Sequence, residues 1–199
     1  MMNVDFSENY RLENERVLLR PLTLQDIEHL LAFSIQEPEL WEYSLVSGSG
    51  KENLKRYIQI ALSKKAEKDS YPFIVFDKKT NQYAGSTRFY DIQQQHNTLQ
   101  LGYTWYGKQF QGTGLNKHCK FLLLQFAFET LGVARVEFRA DNNNKKSIAA
   151  MKSIGCTVEG VLRSNCEGLN GRRDSIVLSI LKKEWEETIK ENLKQKLIL

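Results

Sequence analysis

The stretch Thr98–Gln125, TLQLGYTWYGKQFQGTGLNKHCKFLLLQ, decides how this chain is read. Leu99-Gln100-Leu101-Gly102-Tyr103-Thr104-Trp105 loosely alternates apolar and polar residues, the pattern of a strand. Gln109-Phe110-Gln111-Gly112-Thr113-Gly114 is a polar turn with two glycines, and Leu115, Cys119, Leu122, Leu123 and Phe126 then recur at helical spacing. Strand, glycine turn and helix aim several backbone N–H groups and a helix N-terminus at one point. Such a point takes an anion, most often a phosphate.

Two familiar phosphate motifs are excluded at once. Gly107 and Gly112 have the separation of a Walker loop, but Thr113-Gly114 follows where Lys-Ser/Thr is needed. A dinucleotide fingerprint fails because Lys117 stands at the third glycine position. What remains is Gln-x-x-Gly-x-Gly: Gln109, Gly112 and Gly114.

Outward from this stretch the elements alternate irregularly. On the N-terminal side, Val17–Leu22 reads as a strand ended near Pro21, and Thr23 with Asp26 as a helix start for the stripe Leu24, Ile27, Leu30 and Leu31. Ser49 and Glu52 form a capping-box pattern before Leu54, Tyr57, Ile58, Ala61 and Leu62. Phe73–Phe76, Tyr83–Asp91 and the opening strand follow one another through short polar turns, which predicts an antiparallel meander. On the C-terminal side, Gly132 ends the central helix and Ala134–Ala140 is a fifth strand. A short helix Ser147–Ile154, a strand Thr157–Leu162, a loop Ser164–Arg173 and a last strand Ser175–Ile180 follow. A tail helix over 183–199 completes the order. No linker or repeat divides the 199 residues, so one α+β domain is expected over 1–199, with its core at about 16–185.

Composition narrows the function classes. Apolar residues at 41% supply a core, and the net charge of +4 is spread without a basic stripe, which argues against a nucleic-acid surface. Cys119, Cys156 and Cys166 are too few and too scattered for a disulfide framework or a zinc site. No apolar run suits a signal peptide or a membrane span, so a cytoplasmic protein with reduced thiols and no membrane partner is expected.

The ordered set of short motifs resembles the GNAT superfamily of N-acetyltransferases, and within it the RimJ/RimL-like branch. The matching pieces include Leu19-Arg20-Pro21-Leu22, Gly85-Ser86-Thr87-Arg88-Phe89, Leu101-Gly102-Tyr103 and Gln109-x-x-Gly112-x-Gly114. Asn144-x-x-Ser147, Gly155, Glu159-Gly160-Val161-Leu162-Arg163, Gly171-Arg172-Arg173-Asp174 and Glu184-Trp185 complete a resemblance running from about Arg16 to Trp185. It implies the GNAT fold: a mixed, mostly antiparallel central sheet flanked by helices and splayed between the fourth strand, the opening one, and the fifth. It also implies acetyl-CoA as acyl donor and a primary amine as acceptor. Phe110, Gln111, Gly112, Thr113, Gly114 and Leu115 would offer backbone donors to the coenzyme A pyrophosphate. Tyr103, Thr104 and Trp105 would pair their backbone with the pantetheine arm, and Asn144 would touch that arm. Ser147 would lie against the sulfur as proton donor to the leaving thiolate.

The glutamate that RimL-like enzymes carry after the EG-x-L-R/K segment falls on Cys166 here, and Glu167 is the neighbouring candidate base. Glu42, Glu137 and His96 are lesser ones. Without a strong base, an α-amine of pKa near 7.7–8, roughly 10–15% neutral at pH 7, is a better acceptor than a lysine, neutral about 0.04% of the time. The acceptor is therefore expected to be the α-amine of a protein N-terminus or a small molecule, met by Glu37–Tyr43 and Ser164–Arg173. Polyamine or antibiotic acetylation is an alternative, and a non-catalytic acetyl-CoA-binding regulatory module is the rival of a different class. A homodimer is open, with no sequence feature that decides it.

Overall fold

The computed structural model describes residues 2–197. Its strands are β1 (Leu12–Glu13), β2 (Val17–Pro21), β3 (Ser70–Asp77), β4 (Gln82–Gln93), β5 (Thr98–Tyr106), β6 (Arg135–Asp141), β7 (Thr157–Gly168) and β8 (Gly171–Leu181). All eight join one open sheet in the order β1-β2-β3-β4-β5-β6-β8-β7. Helices α1 (Ile27–Gln36) and α2 (Lys51–Ala66) lie between β2 and β3, α3 (Leu115–Gln125) between β5 and β6, and α4 (Lys145–Ser153) between β6 and β7. The fold is therefore α+β, mixed and mostly antiparallel, as the motif order implies.

Period-two alternation sorts the core onto two faces. In β3, Phe73 and Val75 join the cluster of Leu19, Phe89, Leu115, Leu123 and Trp185, whereas Ile74 joins Leu30, Trp41, Leu54, Ile58 and Trp105. α3 thus covers one face and α1 with α2 the other. The neighbouring strands pair antiparallel with one exception: β5 and β6 run parallel and pair only at Thr98↔Arg135, Leu99↔Val136 and Gln100↔Glu137. Beyond Gln100 the two strands part. This is the splay, and the extra short strand β1 makes it the β5–β6 junction.

Four local expectations are corrected. Ser49 does not cap α2; Gly50 does, at φ +82°. The Gly50 N–H donates to the Ser34 carbonyl (3.0 Å) and the Ser34 hydroxyl to the Gly48 carbonyl (2.5 Å), which pins the segment to α1. Leu24 sits in a 3-10 turn ahead of α1 and is exposed rather than part of the stripe. The Ser164–Arg173 loop is instead the end of the long β7–β8 hairpin, paired at Cys166↔Arg173, Glu167↔Arg172 and Gly168↔Gly171. The tail is not one straight helix: α5 (Lys182–Glu184), a π-turn (Trp185–Ile189) and α6 (Lys190–Gln195) place Trp185 in the core, its Nε1 donating to Glu129 at 2.9 Å. The last two positions of the expected tail helix lie outside the described residues.

Candidate active site

β5 delivers the chain to the site through a bulge. Gly85↔Tyr106, Ser86↔Trp105 and Arg88↔Gly102 are pairs, so Tyr103 and Thr104 together oppose Thr87. Tyr103 takes φ +48°, a conformation uncommon for a bulky residue. The Tyr57 hydroxyl from α2 holds it there by donating to the Tyr103 carbonyl at 3.2 Å. That carbonyl is thus already engaged. The β6 side of the strand past Gln100 has no strand partner.

After β5 comes the glycine turn. Gly112 (φ +76°) and Gly114 (φ +87°) are left-handed, and a Cβ on either would meet open space, so the turn faces solvent. The N–H groups of Phe110 and Gln111 bond back to the Gly107 and Lys108 carbonyls. Those of Gly112, Thr113, Gly114, Leu115 and Asn116 have no partner among the described residues. The unpaired N–H groups therefore start at Gly112, two residues beyond Phe110, where the resemblance places the first donor. Phe110 instead packs in the core against Phe33, with centroids 6.0 Å apart. Gly114 is the N-cap of α3, whose first-turn N–H groups and dipole point outward at the same place.

Two cations that sequence reasoning missed flank the turn. Arg16, paired with the buried Asp77 at 2.7 Å, also reaches the Thr113 hydroxyl at 3.4 Å. Lys146, from α4, donates to the Gln111 side chain, and Gln111 Nε2 donates to the Tyr106 carbonyl at 2.8 Å. The Lys146–Gln111 bond ties the start of α4 to the glycine turn, bringing the Asn144–Ser147 segment to the same site. There Asn144 Oδ1 accepts the Ser147 N–H at 3.0 Å, a helix N-cap, while the Ser147 hydroxyl has no bonded partner among the described residues.

Lys120 was also missed. It lies on the sheet-facing side of α3, 5% exposed, and its Nζ donates to Thr104 Oγ1 at 2.7 Å, which in turn meets Thr87 Oγ1 at 2.7 Å. No carboxylate pairs with it among the described residues. Burial depresses its pKa to about 8. A lysine one residue after Cys119 in an apolar helix was the only signal the sequence offered.

The candidate bases are less well placed. Glu167 is exposed on the hairpin and paired with Arg172 at 3.2 Å. Glu137 is held between Arg135 (2.8 Å) and Arg139 (2.7 Å), and His96 lies in an exposed turn. Glu37 accepts the Lys108 N–H at 2.8 Å and Glu39 forms an exposed pair with the Lys108 ammonium. The two expected acceptor segments do meet: Arg173 Nη1 donates to the Tyr43 carbonyl at 3.3 Å. Trp41 is buried against Trp105, ring centroids 4.9 Å apart, and serves the core.

Known proteins share this sequence pattern and this fold. The acetyltransferase (GNAT) domain profile matches residues 16–157. N-acetyltransferase p20 of Bacillus licheniformis is 27% identical, the match spanning 87% of this chain and 97% of p20. Bacillus subtilis YdaF, provisionally named a ribosomal N-acetyltransferase, is 26% identical, spanning 87% of this chain and 95% of YdaF. A GCN5-related N-acetyltransferase from Brucella melitensis superposes with a TM-score of 0.88 at 24% identity, covering 96% of this chain and 86% of that one. With the fold and the profile in agreement, the chain belongs to the GNAT acetyltransferase family and is an N-acetyltransferase.

Proposed function

We propose that the chain is a single acetyltransferase domain that transfers an acetyl group from acetyl-CoA directly to an α-amine of a protein N-terminus or a small molecule. The observation that carries this reading is the open glycine turn beside the unpaired stretch of β5. Its residues fit the donor: no Cβ fills the turn, five backbone N–H groups there lack internal partners, and Arg16 and Lys146 supply positive charge at its rim. When bound, acetyl-CoA supplies the activated acetyl thioester.

In this reading Gly112 to Leu115 hold the pyrophosphate, and the β5 backbone at Thr104 and Trp105 orients the pantetheine arm. A backbone N–H near Trp105 meets the developing oxyanion. The amine nitrogen bonds the acetyl carbon as the C–S bond breaks, and Ser147, its hydroxyl without a partner among the described residues, relays a proton from solvent to the departing thiolate as its own is replaced. Glu167 takes the proton from the amine. Its exposed pair with Arg172 stabilises by about 1 kcal/mol at most, so the carboxylate is readily released.

Acetyl-CoA turnover against a panel of peptides and small amines tests the reading, and tight coenzyme A binding with no turnover on any acceptor favours the regulatory-module alternative. Ser147→Ala is expected to lower kcat by on the order of 10²-fold with little change in the KM for acetyl-CoA. Unchanged kcat removes Ser147 from the mechanism, and the same measurement on Glu167→Gln decides the base. Lys146→Ala, which removes an exposed rim charge, is expected to raise the KM for acetyl-CoA by about three- to tenfold at constant kcat.

A further inference from the structure

Arg88 is 4% exposed, yet its side chain takes part in no ion pair and no hydrogen bond among the described residues, and its Nε is buried without a partner. Its charge meets only aromatic faces. The guanidinium carbon lies 3.4 Å from the Tyr103 ring centroid and 5.6 Å from that of Tyr57. Cation–π contact offsets part of the cost of burying a charge, but a guanidinium this enclosed ordinarily has a carboxylate or phosphate to meet its fork of donors.

Its position gives the missing partner a place. Arg88 pairs with Gly102, just past the last β5–β6 pair at Gln100↔Glu137, so it sits where the two strands part. Tyr57 and Tyr103 both belong to the side covered by α2, whereas α3 and the glycine turn belong to the other. The unanswered cation and the donor-binding turn therefore flank the same gap from opposite faces of the sheet. Arg173, at the junction of the hairpin and the Trp41–Tyr43 segment, is a second cation there with no carboxylate partner among the described residues. Of the three glutamates in the segment expected to greet a cationic acceptor, Glu37 and Glu39 are turned to Lys108, and Glu42 is exposed at its end with no ion pair among the described residues.

We infer that Arg88 receives a carboxylate of the acceptor, so that the substrate is a small amine carrying an acid group, an amino acid or a close relative. The inference rests on the acetyl-transfer reading above and narrows its acceptor class.

Free amino acids compared with their own amides test it, as acceptors for the full chain and for Arg88→Met and Arg88→Lys. The parent protein is expected to prefer acid over amide by at least about tenfold in kcat/KM. Arg88→Met is expected to raise the acceptor KM by about tenfold or more and to erase that preference, while the KM for acetyl-CoA holds. Arg88→Lys keeps the charge but not the fork and falls between. Met replaces a buried unpaired charge with an apolar chain of similar length, so the variant should fold, and its melting temperature checks this. Equal use of acid and amide by the parent overturns the inference, as does unaltered preference in Arg88→Met or acetylation confined to acidic peptides. Calorimetry of amino acid and amide binding to the coenzyme A complex separates the two levels. Selective acid binding lost in Arg88→Met sustains the inference even if no turnover is seen, whereas turnover without acid selectivity sustains only the acetyltransferase reading.

Discussion

Lys120→Met raises the stability of the protein at pH 7 by about 3 kcal/mol, which is the expectation from a lysine whose pKa falls from 10.5 to about 8 on folding. The sign follows from proton counts. Burial is the leading cause of the depression, so between about pH 8 and 10.5 the unfolded chain holds more protons at this site than the folded one. The stability of the parent protein should therefore rise with pH across that window and be flat in this contribution below it. The nearby thiols cannot answer the charge, because burial pushes Cys119 and Cys156 up to about 12 and keeps them neutral throughout. Methionine removes the buried charge and with it the slope. Urea unfolding of both proteins at pH 7 and pH 10 reads the effect, along with a rise in Tm of roughly 6–12 °C at pH 7 for a chain of this size. A variant less stable than the parent at pH 7 would mean that the ammonium is compensated. A charge held at such cost on α3, bonded to Thr104 of the strand that lines the splay, points to a demand other than stability.

Gly85→Ala should be the most damaging small change in the sheet. An added Cβ would lie 2.0 Å from the Trp105 carbonyl oxygen and 2.9 Å from the Tyr106 Cα, and the φ of +155° is itself unfavourable for alanine. Both neighbours are backbone, so no side-chain rotation relieves the contact; β4 and β5 must move apart. Overpacking commonly costs 1–3 kcal/mol, and a backbone clash should sit at or above the upper end, about 3 kcal/mol. Denaturant unfolding measures it. Activity should fall with stability, because the strand displaced is the one that carries Tyr103 to Trp105.

Much of the frame was legible because it rests on periodicity. The stripe of α3, the two-period strands and the glycine turn each carry a local signal, and Gly114 does stand at the start of the helix. Other features depend on what lies opposite. Arg88 reads as one letter of a motif until Tyr103 and Tyr57 close over it. Lys120 looks like an ordinary surface lysine until α3 turns it toward Thr104. The outer end of the β7–β8 hairpin, Ser164–Arg173, reads as a loop because it is exposed on both faces and shows no alternation. The unpaired N–H groups of the glycine turn begin at Gly112 rather than Phe110 because Phe110 and Gln111 close a 3-10 turn on themselves. Each miss is a contact made at long range or a hydrogen bond the chain makes with itself.

The three-residue junction between β5 and β6 also bears on how the chain folds. Residues 12–106 contain all the strand pairs of one half of the sheet and residues 135–181 all those of the other. Within each half most pairs are hairpins or near neighbours in sequence, whereas the junction closes a long loop for three pairs. Three residue pairs are all that ties the two halves of the sheet by backbone, so it is the shared core cluster, from Val17 and Phe73 to Val136 and Leu178, that holds them together across the seam. The gap beside the glycine turn is that seam.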